Sequence, residues 1–181
     1  MRVITGTARG RKLQEPSGMD IRPTADVVKE AVFNIIQFDI EGRRVLDLFA
    51  GTGQLGIECL SRGALRATFV DARLDAVRLI RENLALTGLA DRAEVLTADY
   101  ASVLSAAGEK YDLIFLDPPY ETKLLERSLE LISQFDILRE HGIIVCESRR
   151  EKTMPELAPP YRQTLSRRYG KVCLTVYKKD N

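Results

Sequence analysis

Short apolar runs alternate with longer amphipathic stretches through most of this chain. The apolar runs predict strands at residues 45–49, 67–70, 94–97, 111–116 and 142–146. Apolar residues spaced three and four positions apart predict helices at residues 25–37, 55–60, 74–86 and 124–135. Regular alternation of strands and helices is typical of a parallel, doubly wound sheet with right-handed crossovers. We therefore predict an α/β fold of this Rossmann-like kind.

The two ends of the chain carry a different pattern. Residues 1–13 alternate in polarity and contain two glycines, which predicts a small N-terminal β-hairpin ahead of the sheet. Residues 161–178 contain two strand-like runs separated by a tyrosine-glycine pair, which indicates a second hairpin. We interpret Lys171, Lys178 and Lys179 as charges that keep an edge strand soluble.

Length and charge limit the organisation of the chain. Its 181 residues suit a single domain, with residues 1–24 as a basic hairpin extension and residues 25–181 as the core. Lys and Arg outnumber Asp and Glu by five to two in residues 1–24 and by nine to four in residues 147–181. The basic ends are compatible with a nucleic-acid partner, although scattered surface charge gives the same counts.

Several classes of site and location are disfavoured. Cys59, Cys146 and Cys173 lack metal-ligand spacing and are expected to be reduced and buried. A zinc site or a Ser-His-Asp triad would have to be built around the single histidine, His141, whose setting indicates a turn between elements. No apolar run approaches the roughly 20 residues that span a bilayer. We expect a cytoplasmic protein that uses neither a metal nor a membrane.

A glycine-rich turn follows the first strand. Gly51, Gly53 and Gly56 satisfy G-x-G-x-x-G at the point where a strand is expected to lead into a helix. Glycines let the backbone approach a ligand, and the unpaired N–H groups of the helix face it. This pattern alone is compatible with a dinucleotide oxidoreductase. Asp47, within the strand, argues against that class because a carboxylate there suits a ligand carrying positive charge.

Further acidic residues follow the next two strands. Asp71 ends the second strand, where an acidic side chain is placed to accept hydrogen bonds from ribose hydroxyls. Asp99 follows the third strand and is placed to accept a hydrogen bond from an adenine amine, with Tyr100 covering the ring. Since parallel strands end at one edge of a sheet, we expect these side chains to converge on the glycine turn.

The fourth strand ends in a rigid, mixed-polarity sequence. Asp117, Pro118, Pro119 and Tyr120 combine a carboxylate, two prolines that fix the backbone, and an aromatic ring. The carboxylate and the Pro118 carbonyl can hold the N–H bonds of a flat amine while the ring stacks on it. This segment therefore predicts a clamp for an amine-bearing base.

Basic residues near the N-terminus are candidate nucleic-acid contacts. Arg9, Arg11 and Lys12 lie on the glycine-flanked hairpin, where they are placed for phosphate contacts. A plain surface hairpin explains them equally well. Arg22 precedes the first predicted helix and is either a helix-entry residue or a ligand contact.

These motifs together resemble a known family. Asp47 to Gly53 resembles motif I of S-adenosylmethionine-dependent methyltransferases, and Asp117 to Tyr120 resembles motif IV of amino-methyltransferases acting on adenine or guanine. With Arg22-Pro23-Thr24, they look like the RsmD family of small-subunit ribosomal RNA guanine methyltransferases. Gln54 is a modest departure from the family pattern.

The resemblance implies a function. The expected reaction moves a methyl group from S-adenosyl-L-methionine to the exocyclic N(2) amine of a guanine in 16S rRNA, leaving S-adenosyl-L-homocysteine. The implied fold is a class I methyltransferase sheet, mostly parallel with a C-terminal antiparallel hairpin. The implied partner is 16S rRNA, naked or within an assembling small subunit, and the enzyme is expected to be a monomer. The implied cofactor-binding residues are Asp47, Phe49, Gly51, Gly53, Asp71, Asp99 and Tyr100.

Four alternatives stay open at this point. Two belong to the same enzyme class: a DNA adenine-amine methyltransferase, and a protein glutamine methyltransferase, whose motif has Asn in place of Asp117. The other two are a dinucleotide-dependent oxidoreductase and a non-catalytic RNA-binding domain. Binding of S-adenosylmethionine but not of a nicotinamide cofactor separates the oxidoreductase from the methyltransferases.

Overall fold

A computed structural model describes residues 1–17, 23–120 and 122–181, without the side chains of Pro23 and Thr24. The α-helices of these residues are α1 (Pro23–Ile35), α2 (Gln54–Ser61), α3 (Leu74–Thr87), α4 (Tyr100–Ala106) and α5 (Leu124–Gln134). The strands are β1 (Arg44–Asp47), β2 (Arg66–Asp71), β3 (Ala93–Thr97), β4 (Tyr111–Leu116), β5 (Leu138–Arg149), β6 (Tyr161–Tyr169) and β7 (Val172–Lys179). A 3₁₀ turn, Ala90–Arg92, precedes β3.

The strands form one sheet in the order β3-β2-β1-β4-β5-β7-β6. Strands β1 to β5 are parallel, and β7 is antiparallel to both β5 and β6. The chain builds outward from β1 to β3 and then returns to place β4 beside β1. This reversal opens a crevice at the carboxyl ends of β1 and β4, where doubly wound sheets bind ligands. The predicted fold class is confirmed.

Core side chains lie on both faces of the sheet. Along β4, Leu113 and Phe115 join the apolar cluster that also contains residues of α1, α2 and α3. Ile114 and Leu116 point to the opposite face, into the cluster that contains residues of α4 and α5. A strand buried on both faces is continuously apolar, which explains why β4 was readily predicted from the sequence.

Some boundaries differ from the prediction. Helix α1 begins two residues earlier, at Pro23, because proline suits the first helical position, whose N–H has no partner in the helix. Helix α4 was missed because it has only seven residues. The interpretation of Lys179 as an edge-strand charge is wrong. Strand β7 is internal, and the buried Lys179 ammonium pairs with Asp136 and donates to the Leu138 carbonyl at 3.0 Å.

The N-terminal hairpin has a single antiparallel bridge, between Arg2 and Lys12. It packs tightly on α2, where a Cβ added at Gly6 would lie 1.9 Å from the Ser61 carbonyl oxygen. Its loop meets Ser61 at the end of α2 farthest from the glycine turn, and the Ala8 N–H donates to the Ser61 hydroxyl at 3.0 Å. The extension is therefore a docked part of the core rather than a free ribbon.

A buried carboxylate fastens this hairpin. The Glu58 side chain is fully buried and accepts hydrogen bonds from the N–H groups of Ile4 at 2.8 Å and Thr5 at 2.9 Å. It also pairs with Lys29 of α1 at 3.3 Å and with Arg62 at 2.9 Å. Burial lowers the pKa of Lys29, and the charge of Glu58 opposes that shift. Glu58 thus ties the N-terminus, α1 and α2 together.

In the described part of the chain, no helix is long and apolar enough to cross a bilayer. All three cysteines are free thiols in buried positions, as predicted.

The Glu58 cluster yields a stability prediction. Glu58→Ala should lower the free energy of unfolding by about 3–5 kcal/mol, because it leaves a buried ammonium and two buried N–H groups without their acceptor. Urea unfolding measures the change. Glu94→Ala, which breaks an exposed pair with Arg66, should cost less than about 1 kcal/mol. Equal losses in the two variants would contradict this role for Glu58.

Candidate active site

The glycine turn between β1 and α2 uses each glycine differently. Gly51 and Gly53 have φ of 57° and 79°, in the left-handed region that favours glycine. A Cβ added at Gly56 would lie 2.3 Å from the Phe69 ring, so Gly56 permits close packing of α2 on β2. Gly53 caps α2, and a Cβ added there would meet Ile57 and Ile80; its role as a cofactor contact stays a prediction.

Two carboxylates hold this turn in place. Asp47 Oδ2 accepts a hydrogen bond from the Gly56 N–H at 3.2 Å, in the first turn of α2. Asp71 Oδ2 accepts one from the Gly51 N–H at 3.1 Å, and its Oδ1 accepts one from the Arg73 N–H at 3.0 Å. The strand-end acids therefore fix the backbone that surrounds the ligand position.

Burial dominates the electrostatics of Asp47. Its side chain is nearly inaccessible, and burial raises its pKa to about 7. The hydrogen bond from Gly56 opposes this rise, and the charge of Asp71 adds to it. Asp47 thus has an unusually high proton affinity for a carboxylate.

A cavity of about 730 Å³ brings most of the predicted site residues together. Phe49 and Tyr100 lie 5.5 Å apart between ring centroids, with planes inclined by 38°. Asp99 caps α4, because its Oδ2 accepts hydrogen bonds from the N–H groups of Ala101 and Ser102. The predicted residues that line the cavity are Asp47, Phe49, Gly51, Asp71, Asp99, Tyr100, Asp117, Pro118, Pro119 and Tyr120.

The Asp117 to Tyr120 segment follows β4 at one side of this cavity. Burial raises the pKa of Asp117 well above its usual range, and the nearby charges of Glu147 and Asp47 raise it further. Burial also raises the pKa of Glu147. Several carboxyl groups with raised pKa values therefore meet at the end of β4, an arrangement typical of functional sites.

Glu147 is a site residue that the sequence analysis missed. The Tyr120 hydroxyl donates a hydrogen bond to Glu147 Oε1, which orients the ring at the cavity mouth. The missed signal is that Glu147 directly follows the apolar run 143–146, as Asp71 and Asp117 follow theirs, although β5 continues to Arg149.

Asn83 was also missed. Its amide donates to the Thr52 carbonyl at 2.9 Å and to the Gln14 carbonyl at 3.1 Å. Asn83 Oδ1 accepts a hydrogen bond from the Gln14 N–H at 2.7 Å. Met1 lines the cavity as well. The N-terminal segment is therefore in contact with the glycine turn.

Of the candidate nucleic-acid residues, Arg9, Arg11 and Lys12 do not line the cavity. Arg9 and Lys12 are exposed on the hairpin, and Arg11 donates to the Leu86 carbonyl near the end of α3 at 3.4 Å. Arg22 lies outside the described residues. Among the described residues, no cluster of potential metal ligands is present.

Comparison with known proteins identifies the family. A family described as "Conserved hypothetical protein 95" matches residues 1–178. The chain belongs to this family. A curated relative, "Ribosomal RNA small subunit methyltransferase D" of Escherichia coli, is 33% identical over 99% of this chain and 90% of that protein. "Putative rRNA methyltransferase YlbH" of Bacillus subtilis is 42% identical over 99% of each chain.

Solved structures agree with this assignment. The structure described as "Putative methyltransferase yhhF from Escherichia coli" matches with a TM-score of 0.89 at 34% identity, covering 99% of this chain and 98% of that chain. The predicted RsmD-family membership, the methyltransferase class and the cofactor S-adenosylmethionine are thereby confirmed. A dinucleotide oxidoreductase and a non-catalytic domain are no longer tenable.

The cavity fits this cofactor chemically. Backbone and carboxylate groups of the glycine turn and of Asp71 offer hydrogen bonds to hydroxyl and amino groups, and the Phe49–Tyr100 pair offers an aromatic surface for a base. The carboxyl groups of Asp47, which is buried, and of Asp117, which is half-buried, suit the positive charge of a sulfonium and an ammonium group.

The raised pKa of Asp47 predicts a pH effect on stability. Between about pH 4 and about pH 7 the folded protein holds a proton on Asp47 that the unfolded chain releases, so stability should fall as pH rises through this window. Asp47→Asn keeps an acceptor for the Gly56 N–H but cannot ionise, so its decline should be shallower. Urea unfolding of the cofactor-free protein across this range measures both, and parallel curves would contradict the assignment.

Proposed function

We propose that this protein transfers a methyl group from S-adenosylmethionine to the exocyclic N(2) amine of a guanine in 16S rRNA. The observation that carries the proposal is that Asp117, Pro118 and Tyr120 line the same cavity as the glycine turn. An amine clamp and a cofactor turn that share one cavity suit methyl transfer to a base. The name of the Escherichia coli relative points to small-subunit rRNA as the substrate.

In the proposed mechanism the chain acts mainly by positioning the amine. The lone pair of an exocyclic amine is delocalised into the ring, so the free amine is a poor nucleophile. The Asp117 carboxylate and the Pro118 carbonyl accept its N–H bonds and turn the lone pair toward the cavity. Tyr120 stacks on the base, which must be extruded from its helix to reach this site.

The methyl transfer is balanced in atoms and charge. The bound cofactor supplies the electrophilic methyl group: the N–C bond forms, the S–C bond breaks, and S-adenosylhomocysteine leaves. The proton lost from the amine passes to Asp117, whose raised pKa makes it a better proton acceptor than an ordinary carboxylate.

The cofactor contacts in this proposal follow the strand ends. Asp71 Oδ2, which already accepts from the Gly51 N–H, has a second lone pair for a ribose hydroxyl. Asp99 accepts from the adenine amine through Oδ1, since both of its capping bonds use Oδ2. The Phe49–Tyr100 pair covers the adenine ring.

The proposal also covers the partner and its setting. Arg9, Arg11, Lys12 and Arg22 contact rRNA phosphates, the enzyme acts as a monomer without a metal, and the reaction takes place in the cytoplasm. Either naked rRNA or an assembling small subunit is the substrate.

The direct test uses a labelled methyl donor. Incubation with labelled S-adenosylmethionine and 16S rRNA, followed by nucleotide mapping, should locate one methylated guanine with the label on N(2). Asp117→Ala should reduce transfer by about two to four powers of ten, in the range expected for a positioned proton acceptor, with little change in RNA affinity. Label on adenine, or on DNA in preference to rRNA, would favour the adenine-methyltransferase alternative.

The clamp predicts distinct effects for two changes at Tyr120. Tyr120→Ala should slow transfer by losing about 1–3 kcal/mol of base stacking. Tyr120→Phe keeps the ring and should retain most activity, although it loses the hydrogen bond to Glu147. Single-turnover methyl transfer separates the two, and equal damage in both variants would show that the hydroxyl matters more than the ring.

A further inference from the structure

The carboxyl edge of the sheet divides into two functional halves. The ends of β1, β2 and β3 carry the cofactor residues Asp47, Asp71 and Asp99. The ends of β4 and β5, together with the β6–β7 turn, form the other half, because β6 ends and β7 begins where β5 ends. A substrate that reaches Asp117 without displacing the cofactor must lie over this second half.

Basic residues are concentrated on this second half. We define the C-terminal basic surface as Arg150, Arg167, Arg168 and Lys171, all of which are exposed. Between Arg149 and Lys171 the sequence contains two acidic residues, Glu151 and Glu156. The surface lies outside the Asp117 to Tyr120 clamp. The sequence marked residues 147–181 as basic and Lys171 as an edge-strand charge, but it did not group these four residues into one surface.

The strand register places these residues close to the catalytic segment. Glu147, which accepts the Tyr120 hydrogen bond, pairs with Leu174, and Leu174 pairs with Arg167. Two strand spacings give about 10 Å between the Cα atoms of Glu147 and Arg167. In the next row, Ser148 and Arg168 flank Cys173, and the Arg168 side chain leaves the opposite face of the sheet from that of Arg167, so the two arginines border the end of the sheet from both faces.

The turn completes the surface. The Arg150 N–H donates to the Lys171 carbonyl at 2.9 Å, which holds the end of β5 against the β6–β7 turn. A small cavity lined by Tyr120, Glu147 and Arg149 connects the clamp to this end of β5. Arg150 and the β6–β7 turn therefore lie directly beyond the end of this cavity, next to the catalytic loop.

These four cations, like Arg9 and Lys12 on the hairpin, lack the internal ion pairs that several cations at the opposite edge of the sheet make among the described residues. Within the described ranges, the side chains of Arg150, Arg167, Arg168 and Lys171 make no ion pair. At the opposite edge of the sheet, by contrast, Arg43 pairs with Asp112, Arg66 with Glu94 and Lys110 with Asp136. Arg167 lines a groove beside α1 that also contains Glu30, yet the two do not pair. Cations without internal partners are available to external anions.

We infer that the C-terminal basic surface binds the phosphates of the rRNA strand that flanks the target base. This inference rests on the proposed function and adds the place where the RNA lies. The hairpin tip that carries Arg9 and Arg11 meets the far end of α2, so it is less well placed to hold the nucleotides beside an extruded base. Phosphate contacts position a nucleic acid without reading its sequence.

The test compares two four-residue variants with the same change of charge. The first changes Arg150, Arg167, Arg168 and Lys171 to Ala. The control changes Arg43, Arg66, Lys110 and Arg139, at the amino edge of the sheet, to Ala. For each variant, binding to transcribed 16S rRNA is measured over a range of salt, together with S-adenosylmethionine affinity and methyl transfer.

We expect the first variant to bind rRNA about 10- to 100-fold more weakly. Its log–log salt slope should fall by about 2–3, since each phosphate contact to a single strand contributes about 0.7. Cofactor affinity should stay unchanged, and the control should keep the wild-type slope. A three-residue variant, Arg9, Arg11 and Lys12 to Ala, shows whether the hairpin contributes separately.

The outcomes are distinguishable. If the wild-type protein methylates rRNA but the first variant keeps the salt slope of the control, the inference is overturned and the proposed function stands. If the slope falls equally in both four-residue variants, net charge rather than this surface governs binding, which also overturns it. If the wild-type protein transfers no methyl group to rRNA, the proposed function and this inference fail together.

Discussion

Hydrogen bonds from backbone N–H groups to strand-end carboxylates hold the active site together. Asp47 accepts a hydrogen bond from the Gly56 N–H, and Asp71 accepts one from the Gly51 N–H. The two neighbouring strands β1 and β2 therefore both hold the turn. A glycine turn without these acceptors has many accessible conformations, because glycine loses more freedom on folding than any other residue. The carboxylates convert this flexible segment into a fixed wall of the cavity.

The use of carboxylates to hold the turn concentrates acidic groups beside the cavity. Asp47 is buried and Asp117 is half-buried beside the cavity, and each has a raised pKa. The crowding of these carboxyl groups destabilises the cofactor-free protein and is relieved when a positively charged ligand binds. A cationic ligand favours the ionised form of these carboxyl groups, whereas the phosphates of a dinucleotide oppose it, which contributes to selectivity for a cationic cofactor.

The N-terminal segment is coupled to this site by buried polar contacts. Glu58 fastens the hairpin to α1 and α2, and Asn83 joins the segment to the glycine turn. RNA bound to the hairpin and a cofactor bound at the turn would therefore share one rigid body. On the other side of the cofactor cavity, the C-terminal basic surface extends the same sheet edge beyond Tyr120.

Much of this protein was determined by local sequence alone. The apolar runs predicted β1 to β5, and the glycine turn, Asp71 and Asp117 were located because strand-end residues of parallel strands share one sheet edge. The amine clamp was also recognisable, since its four residues are consecutive.

The tertiary structure decided the contacts between distant residues. Nothing local indicates that Glu58 meets Ile4 or that Tyr120 meets Glu147, because these partners are 54 and 27 positions apart. Lys179 was mistaken for an edge residue because periodicity predicts a strand but not its neighbours, and the neighbours determine burial. The basic surface likewise depends on β7 lying between β5 and β6, a pairing that brings Arg150 beside Lys171 and that no local pattern specifies.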